Sequence, residues 1–126
     1  MLDRKDWAAM KPLSSPKIVD HNPLQGQKPG QEGFIESRRS LMKGVSDYRT
    51  TIDSMIAEGD KVAVCVTHTF THTGRFFDIP PTNRKVSYTE MTVWRIVKGK
   101  ITDRWCTSDS LGMLTQIGAT LTFPKK

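Results

Sequence analysis

At 126 residues, with 37% hydrophobic and 25% charged residues, the chain is long enough for one core and too apolar for a disordered segment. The net charge of +6, from 19 basic and 13 acidic residues, raises nucleic acid as a partner. The basic residues stand in scattered pairs (Arg4-Lys5, Arg38-Arg39, Arg84-Lys85, Lys98 with Lys100, Lys125-Lys126) without an aromatic-interleaved stripe, so a solvated basic surface is expected and nucleic acid is not.

No apolar run is long enough to span a bilayer, and the acid-bearing start Met-Leu-Asp-Arg-Lys-Asp-Trp does not read as a signal peptide. The expectation is a cytoplasmic protein with no membrane contact, folded as a single domain over 1–126. Cys65 and Cys106 do not make a disulfide framework and read as small buried hydrophobes in strands.

In chain order, residues 3–11 predict a short helix with Trp7 and Met10 on one face, bracketed by Pro12 and Pro16. Residues 17–23 are a short extended piece entering a turn, and 24–32, rich in Gly, Pro and Gln, are loop. A second helix is expected from Gln31 to Lys43. Phe34, Ile35, Leu41 and Met42 form its apolar stripe, and Gly44 is its stop. Arg38 interrupts that stripe, so it either snorkels or points into something polar.

The period then changes to alternation. Strands are expected at about 48–57, 62–70, 85–97 and 101–109, with tight turns at Glu58-Gly59-Asp60 and Lys98-Gly99-Lys100 and a long connection over 74–84. Leu111 to Ile117 closes as a short helix ended by Gly118. Helices followed by a four-stranded antiparallel meander make an α+β fold, and long twisted strands curling round helices leave room for a pocket.

Several ordered segments carry a resemblance. Val19-Asp20-His21-Asn22-Pro23 resembles a "DHNP" turn, and Glu58-Gly59-Asp60-Lys61-Val62 an "EGDxV" hairpin. Thr71-His72-Thr73-Gly74, Ile79-Pro80-Pro81-Thr82 and Val86 resemble "THTG…IPPT…V". Val97 to Ile101, Trp105, Asp109 and Leu114-Thr115-Gln116-Ile117-Gly118 resemble "DGKI…W…D…LLxQLG". In order and spacing, over about 18–119, these are similar to the SnoaL-like polyketide cyclase family within the nuclear transport factor 2-like superfamily.

The resemblance implies a cone-shaped, cystatin-like fold: a curved antiparallel sheet packed on N-terminal helices around a deep pocket. In the best-known members it also implies cofactor-free aldol closure of a polyketide ester, with an Asp near the end of the last strand as acid/base. Three departures stand out. The helical region before "DHNP" is shorter than usual, so one wall of the cone is expected to be thin, open or completed by another chain. Phe70 replaces a Gly common before "THTG", and Asn83 replaces a Gly after "PPT".

The resemblance places Asp109 at the acid/base position. If the 97–99 turn has three residues with Gly99 left-handed, odd residues pair across strands three and four. Met91, Val93 and Arg95 then share a face with Trp105, Thr107 and Asp109, where partial shielding raises a carboxyl pKa into a useful range. The competing role is the N-cap of the following helix. Arg95 either holds an anionic group or stabilises an enolate, or else it pairs with Asp103 or Asp109 or faces outward in another register.

His72 is a candidate hydrogen-bonding catalytic group at the pocket mouth. His21 and Asn22 are candidate substrate contacts or plain turn residues, and His68 is an ordinary packed or surface residue. Phe70, Tyr88, Met91, Trp94 and Trp105 are core, or the lining for a small hydrophobic ligand. The histidines have no metal-ligand spacing, so no metal is expected, and the resemblance implies no cofactor.

Three functions compete: a cofactor-independent proton-transfer enzyme of cyclase or isomerase type, a non-catalytic small-molecule binder, and an interaction module. An epoxide hydrolase would need a further Asp and Arg about a water. A homodimer is expected, because a short N-terminal region exposes apolar surface.

Overall fold

The computed structural model describes residues 8–124, so Trp7 and the first half of the expected N-terminal helix lie outside the described residues. Ala8–Leu13 is a 3-10 turn with Pro12 inside it. The first correction follows at once. Ser14–Asp20 is a true strand, β1, lying parallel to the last strand, so the sheet has five strands among the described residues rather than four. Its pairing is broken by a register shift between Ser14 and Val19. Pro16, which has no N–H for a ladder, sits in that gap, where an edge strand tolerates it.

Helix α1 spans Gly30–Leu41, and a 3-10 turn, Met42–Gly44, ends it. Glu32 in its first turn and Arg38 and Arg39 in its last complement the helix dipole. Gln31 ties the helix start to β1, donating to Lys11 O, Ser14 O and Ser14 Oγ at 3.0, 3.1 and 2.7 Å. Gly33 is required by close approach: a Cβ there would stand 1.8 Å from Lys28 O.

Strands β2 (Val45–Glu58), β3 (Lys61–His72), β4 (Lys85–Val97) and β5 (Lys100–Ser108) form the antiparallel meander. Helix α2 (Ser110–Gln116) closes the described chain. The strand order is β1-β5-β4-β3-β2.

Arg104 on β5 and Arg38 on α1 both lie over the Phe34 ring, so the even-numbered residues of β4 and β5 face the helix. On this inner face the near end of the sheet is closed. Met42, Val45, Tyr48, Phe70, Phe76, Val86, Met113 and Ile117 make a buried cluster beneath α2 and the 74–84 connection. The far end is open: residues 51–60 are all exposed, including Ile52 and Met55.

Candidate functional site

Between the closed and open ends, the inner face carries a layer of charged and hydroxyl groups. Asp20, from the end of β1, receives Arg104 at 3.1 Å and Arg38 at 3.6 Å. Arg104 reaches across to Glu90 on β4 at 3.4 Å. Glu90 also accepts from His68 Nε2 at 2.7 Å and from Cys106 Sγ at 2.9 Å. The far side of the His68 ring meets Thr50 Oγ1 at 2.9 Å. Gln27 donates to Asp20 at 3.1 Å and accepts from Arg38 at 3.1 Å, joining the 23–30 loop to the layer. Tyr48 and Tyr88 cap it on the core side, hydroxyl to hydroxyl at 3.3 Å.

The strands explain the grouping. His68 lies opposite Thr50 on β2 and Tyr88 on β4, while Arg104 lies opposite Trp94. Alternation therefore lines His68, Glu90, Arg104 and Cys106 along one face.

The electrostatics of the layer are balanced: two guanidiniums face two carboxylates around a nearly inaccessible imidazole. Burial pushes the Glu90 carboxyl up, but hydrogen bonds from His68 and Cys106 and the charges of His68 and Arg104 outweigh it and hold the group at about 2. Glu90 is thus an ionised acceptor at neutral pH, so His68 Nε2 carries the shared proton, and the other ring nitrogen, Nδ1, shares a hydrogen bond with the Thr50 hydroxyl.

Burial, then Arg104, brings Arg38 down to about 10. Burial, then the Glu90 contact, pushes the Cys106 thiol up to about 11, so it stays protonated and donates. Cys65 and Cys106 are both half-buried rather than fully buried, and Cys106 belongs to the polar layer, which corrects the reading of Cys106 as a hydrophobe. Burial also raises Tyr88 to about 12.

The residues singled out in the sequence are divided among three places. Phe70, Tyr88 and Trp94 are on the inner face: Phe70 in the closed core, Tyr88 in the polar layer, and Trp94 beneath Arg104, 5.7 Å from ring to guanidinium. His72 is fully buried at 0% exposure and clamps the 79–82 segment. Its Nε2 donates to Ile79 O at 3.2 Å, and its Nδ1 meets Thr82 Oγ1 at 2.9 Å and accepts from Thr82 N.

Met91, Arg95 and Trp105 share a face as expected, but it is the outer one, with Met91 63% exposed. The turn has two residues, Lys98 and Gly99, both at positive φ. A register shift between Arg95 and Ile96 restores the odd-to-odd pairing that a three-residue turn was expected to give. Arg95 there pairs with Asp60 at 3.4 Å and Asp103 at 3.7 Å.

His21 stacks on Trp105 at 4.4 Å and bonds Asp103 at 2.9 Å. The bond from His21, followed by that from Thr102, lowers the Asp103 pKa. Asn22 Oδ1 accepts from Cys106 N at 2.8 Å and so extends the β5 edge. Asp109 is exposed and caps α2, its Oδ1 accepting from Gly112 N at 2.9 Å. The inward projection expected of Met91, Arg95, Trp105 and Asp109 is therefore not what the sheet's alternation provides.

The model of SnoaL-like polyketide cyclases matches residues 1–117. The chain belongs to the SnoaL-like polyketide cyclase family. Its curved mixed sheet and helices superpose on several solved relatives. TsrD from Streptomyces laurentii is 26% identical, with a TM-score of 0.86 over 94% of this chain and 87% of that one. AclR from Streptomyces galilaeus, a proposed hydroxylase, is 27% identical, with a TM-score of 0.79 over 92% and 86%. IdmH from Streptomyces antibioticus, a proposed polyketide cyclase, is 26% identical, with a TM-score of 0.79 over 94% and 91%. No curated protein sequence gives a significant match.

This SnoaL-like chain thus has, inside its sheet, a carboxylate–imidazole pair that the sequence reading did not assign. Two signals pointed to it: Arg38 breaking an apolar helical stripe, and His68 continuing the Val62, Val64, Val66 face. A cleft of about 470 Å³ opens between β1 and the 23–30 loop, lined by Ile18, Val19, Asp20, Pro23, Gln27 and Pro29 among others, and reaches the same layer at Asp20 and Gln27. Among the described residues, no helix is long and apolar enough to cross a membrane.

Proposed function

We propose that the chain is a cofactor-independent proton-transfer enzyme of aldol-cyclase or isomerase type, acting on a small hydrophobic carbonyl compound such as a polyketide. The supporting observation is the Thr50–His68–Glu90 relay at the floor of an open apolar face. Family membership and the likeness to IdmH agree with that reading.

A carboxylate held at about 2 is a poor base and a good orienting group. It fixes the His68 tautomer and stabilises the imidazolium that forms when Nδ1 takes a proton. The Thr50 hydroxyl hands that proton between Nδ1 and substrate seated on the open side. Ile52, Met55 and Trp94 supply apolar contact for a flat ligand. Arg104, which pairs with Glu90 and lies over Trp94, is the cation that would stabilise developing enolate charge in this reading.

The test is deuterium exchange at the acidic carbon of aromatic β-dicarbonyl compounds, followed by NMR. Exchange above background in the unmodified protein, with loss on His68→Gln and Glu90→Gln in folded variants, is expected. Equal exchange in all three proteins would refute the assignment. A non-catalytic binder on the same fold is the second reading, favoured by the capping role of Asp109. It requires saturable ligand binding with no exchange.

A further inference from the structure

Tyr48 on β2 and Tyr88 on β4 stand against the His68 imidazole on β3. The Tyr48 ring lies 5.3 Å from that of His68, and the Tyr88 ring 5.0 Å from it. Phe70 packs against both phenols at 6.2 Å. Three strands thus fix the two hydroxyls, whose oxygens meet at 3.3 Å.

Burial raises both phenols above the ordinary 10, Tyr88 to about 12, so both keep their protons at neutral pH. Two phenols hold two protons, and the bond between them uses one. The other has no acceptor among the described residues. Protein interiors rarely leave a donor unspent, because a buried one without an acceptor costs free energy. Tyr48 is 8% exposed and belongs to the buried core, whereas Tyr88 is half-buried at its margin. The reachable hydroxyl is therefore that of Tyr88, with Tyr48 behind it.

We propose that Tyr88, accepting a hydrogen bond from Tyr48, donates its own to the substrate's carbonyl oxygen and holds the enolate that forms there. This rests on the proton-transfer reading and adds the group that meets the developing charge. When the carbon–hydrogen bond breaks, the proton passes through Thr50 to His68 Nδ1, and the bonding electrons move onto the carbonyl oxygen. The Tyr88 proton stays on its phenol, because a β-dicarbonyl enolate is a weaker base than a phenolate whose acid stands at about 12. A hydroxyl that already accepts a bond is polarised into a stronger donor, which is what Tyr48 contributes. Arg104 does not duplicate this role, since Asp20 and Glu90 both hold it. A neutral donor in this place suits a 1,3-dicarbonyl, whose enolate spreads its charge over two oxygens, better than a simple ketone.

Benzoylacetone is the probe, since its enol and enolate differ in near-ultraviolet absorption. Bound to the unmodified protein, it should ionise at a pH about one unit lower than in solution, the worth of one hydrogen bond to a charged group. Tyr88→Phe should abolish that shift and slow deuterium exchange roughly 100-fold. Tyr48→Phe should diminish both by less. The Tyr48→Phe, Tyr88→Phe double variant leaves no lone hydroxyl behind, so it should stay folded and match Tyr88→Phe. A lowered ionisation retained in Tyr88→Phe or in the double variant, or none in the unmodified protein, would overturn the proposal. Absence of deuterium exchange in every protein, with the Tyr88-dependent ionisation shift intact, would support enolate binding by Tyr88 and refute only the Thr50–His68–Glu90 relay.

Discussion

Arg104 with Glu90 and Arg95 with Asp103 bridge the same two strands with the same chemistry, on opposite faces of one sheet. The inner pair is sunk beneath α1, with 7% of the Arg104 side chain and 18% of Glu90 exposed, and it shares Asp20 and Arg38. The outer pair is more open, with 37% of Arg95 exposed, and it shares Asp60 and the stacked His21 and Trp105. Identical groups therefore have different consequences. A charge left alone inside cannot be rescued by water, whereas outside it can.

The largest expected effect breaks the inner pair. Arg104→Ala should destabilise by about 3–5 kcal/mol in urea unfolding, because Asp20 and Glu90 would lose their common cation. Arg95→Ala on the outer face should cost under about 1 kcal/mol. Equal losses would erase the distinction between the faces.

Next comes acid. Glu90 stands at about 2 in the folded chain against an ordinary 4.5. Its contribution is in place above pH 4.5 and is lost as pH falls toward 2. Glu90→Gln should flatten that part of the stability-against-pH curve relative to the unmodified protein. An unchanged slope would show that the carboxylate is not held by its partners.

Smaller again is the cap. Asp109→Ala should cost about 1 kcal/mol, with Asp109→Asn close to neutral, since Asn also accepts from the helix N–H groups. Gly112→Ala should be worse than helix propensity suggests, because its Cβ would stand 2.2 Å from the capping Oδ2. The smallest change is at the open end. Ile52→Thr should alter monomer stability by no more than about 0.5 kcal/mol, in contrast to buried positions.

The fold was largely legible because its signals are local. A helical stripe over 34–42, period-two alternation after 48, glycine turns at 59 and 99, and Asp109 before a short helix all act over a few residues. β1 was not recognised as part of the sheet, because only its pairing with distant β5 makes a strand of a segment containing Pro16. The site was less legible for a related reason. Both faces of β4 and β5 carry large side chains: Met91, Val93 and Trp105 on one, Trp94, Thr92 and Arg104 on the other. Alternation divides them correctly but does not say which set faces the helix. That sign is fixed by α1, through Phe34 and Arg38 packing over Arg104 and Asp20.

The most direct measurement is carbon-acid deuterium exchange by three proteins side by side: unmodified, Glu90→Gln and Asp109→Asn. Exchange retained in Asp109→Asn and abolished in Glu90→Gln is the outcome expected of a site on the inner layer. Exchange that survives Glu90→Gln but vanishes with Asp109→Asn, both variants remaining folded, would contradict it.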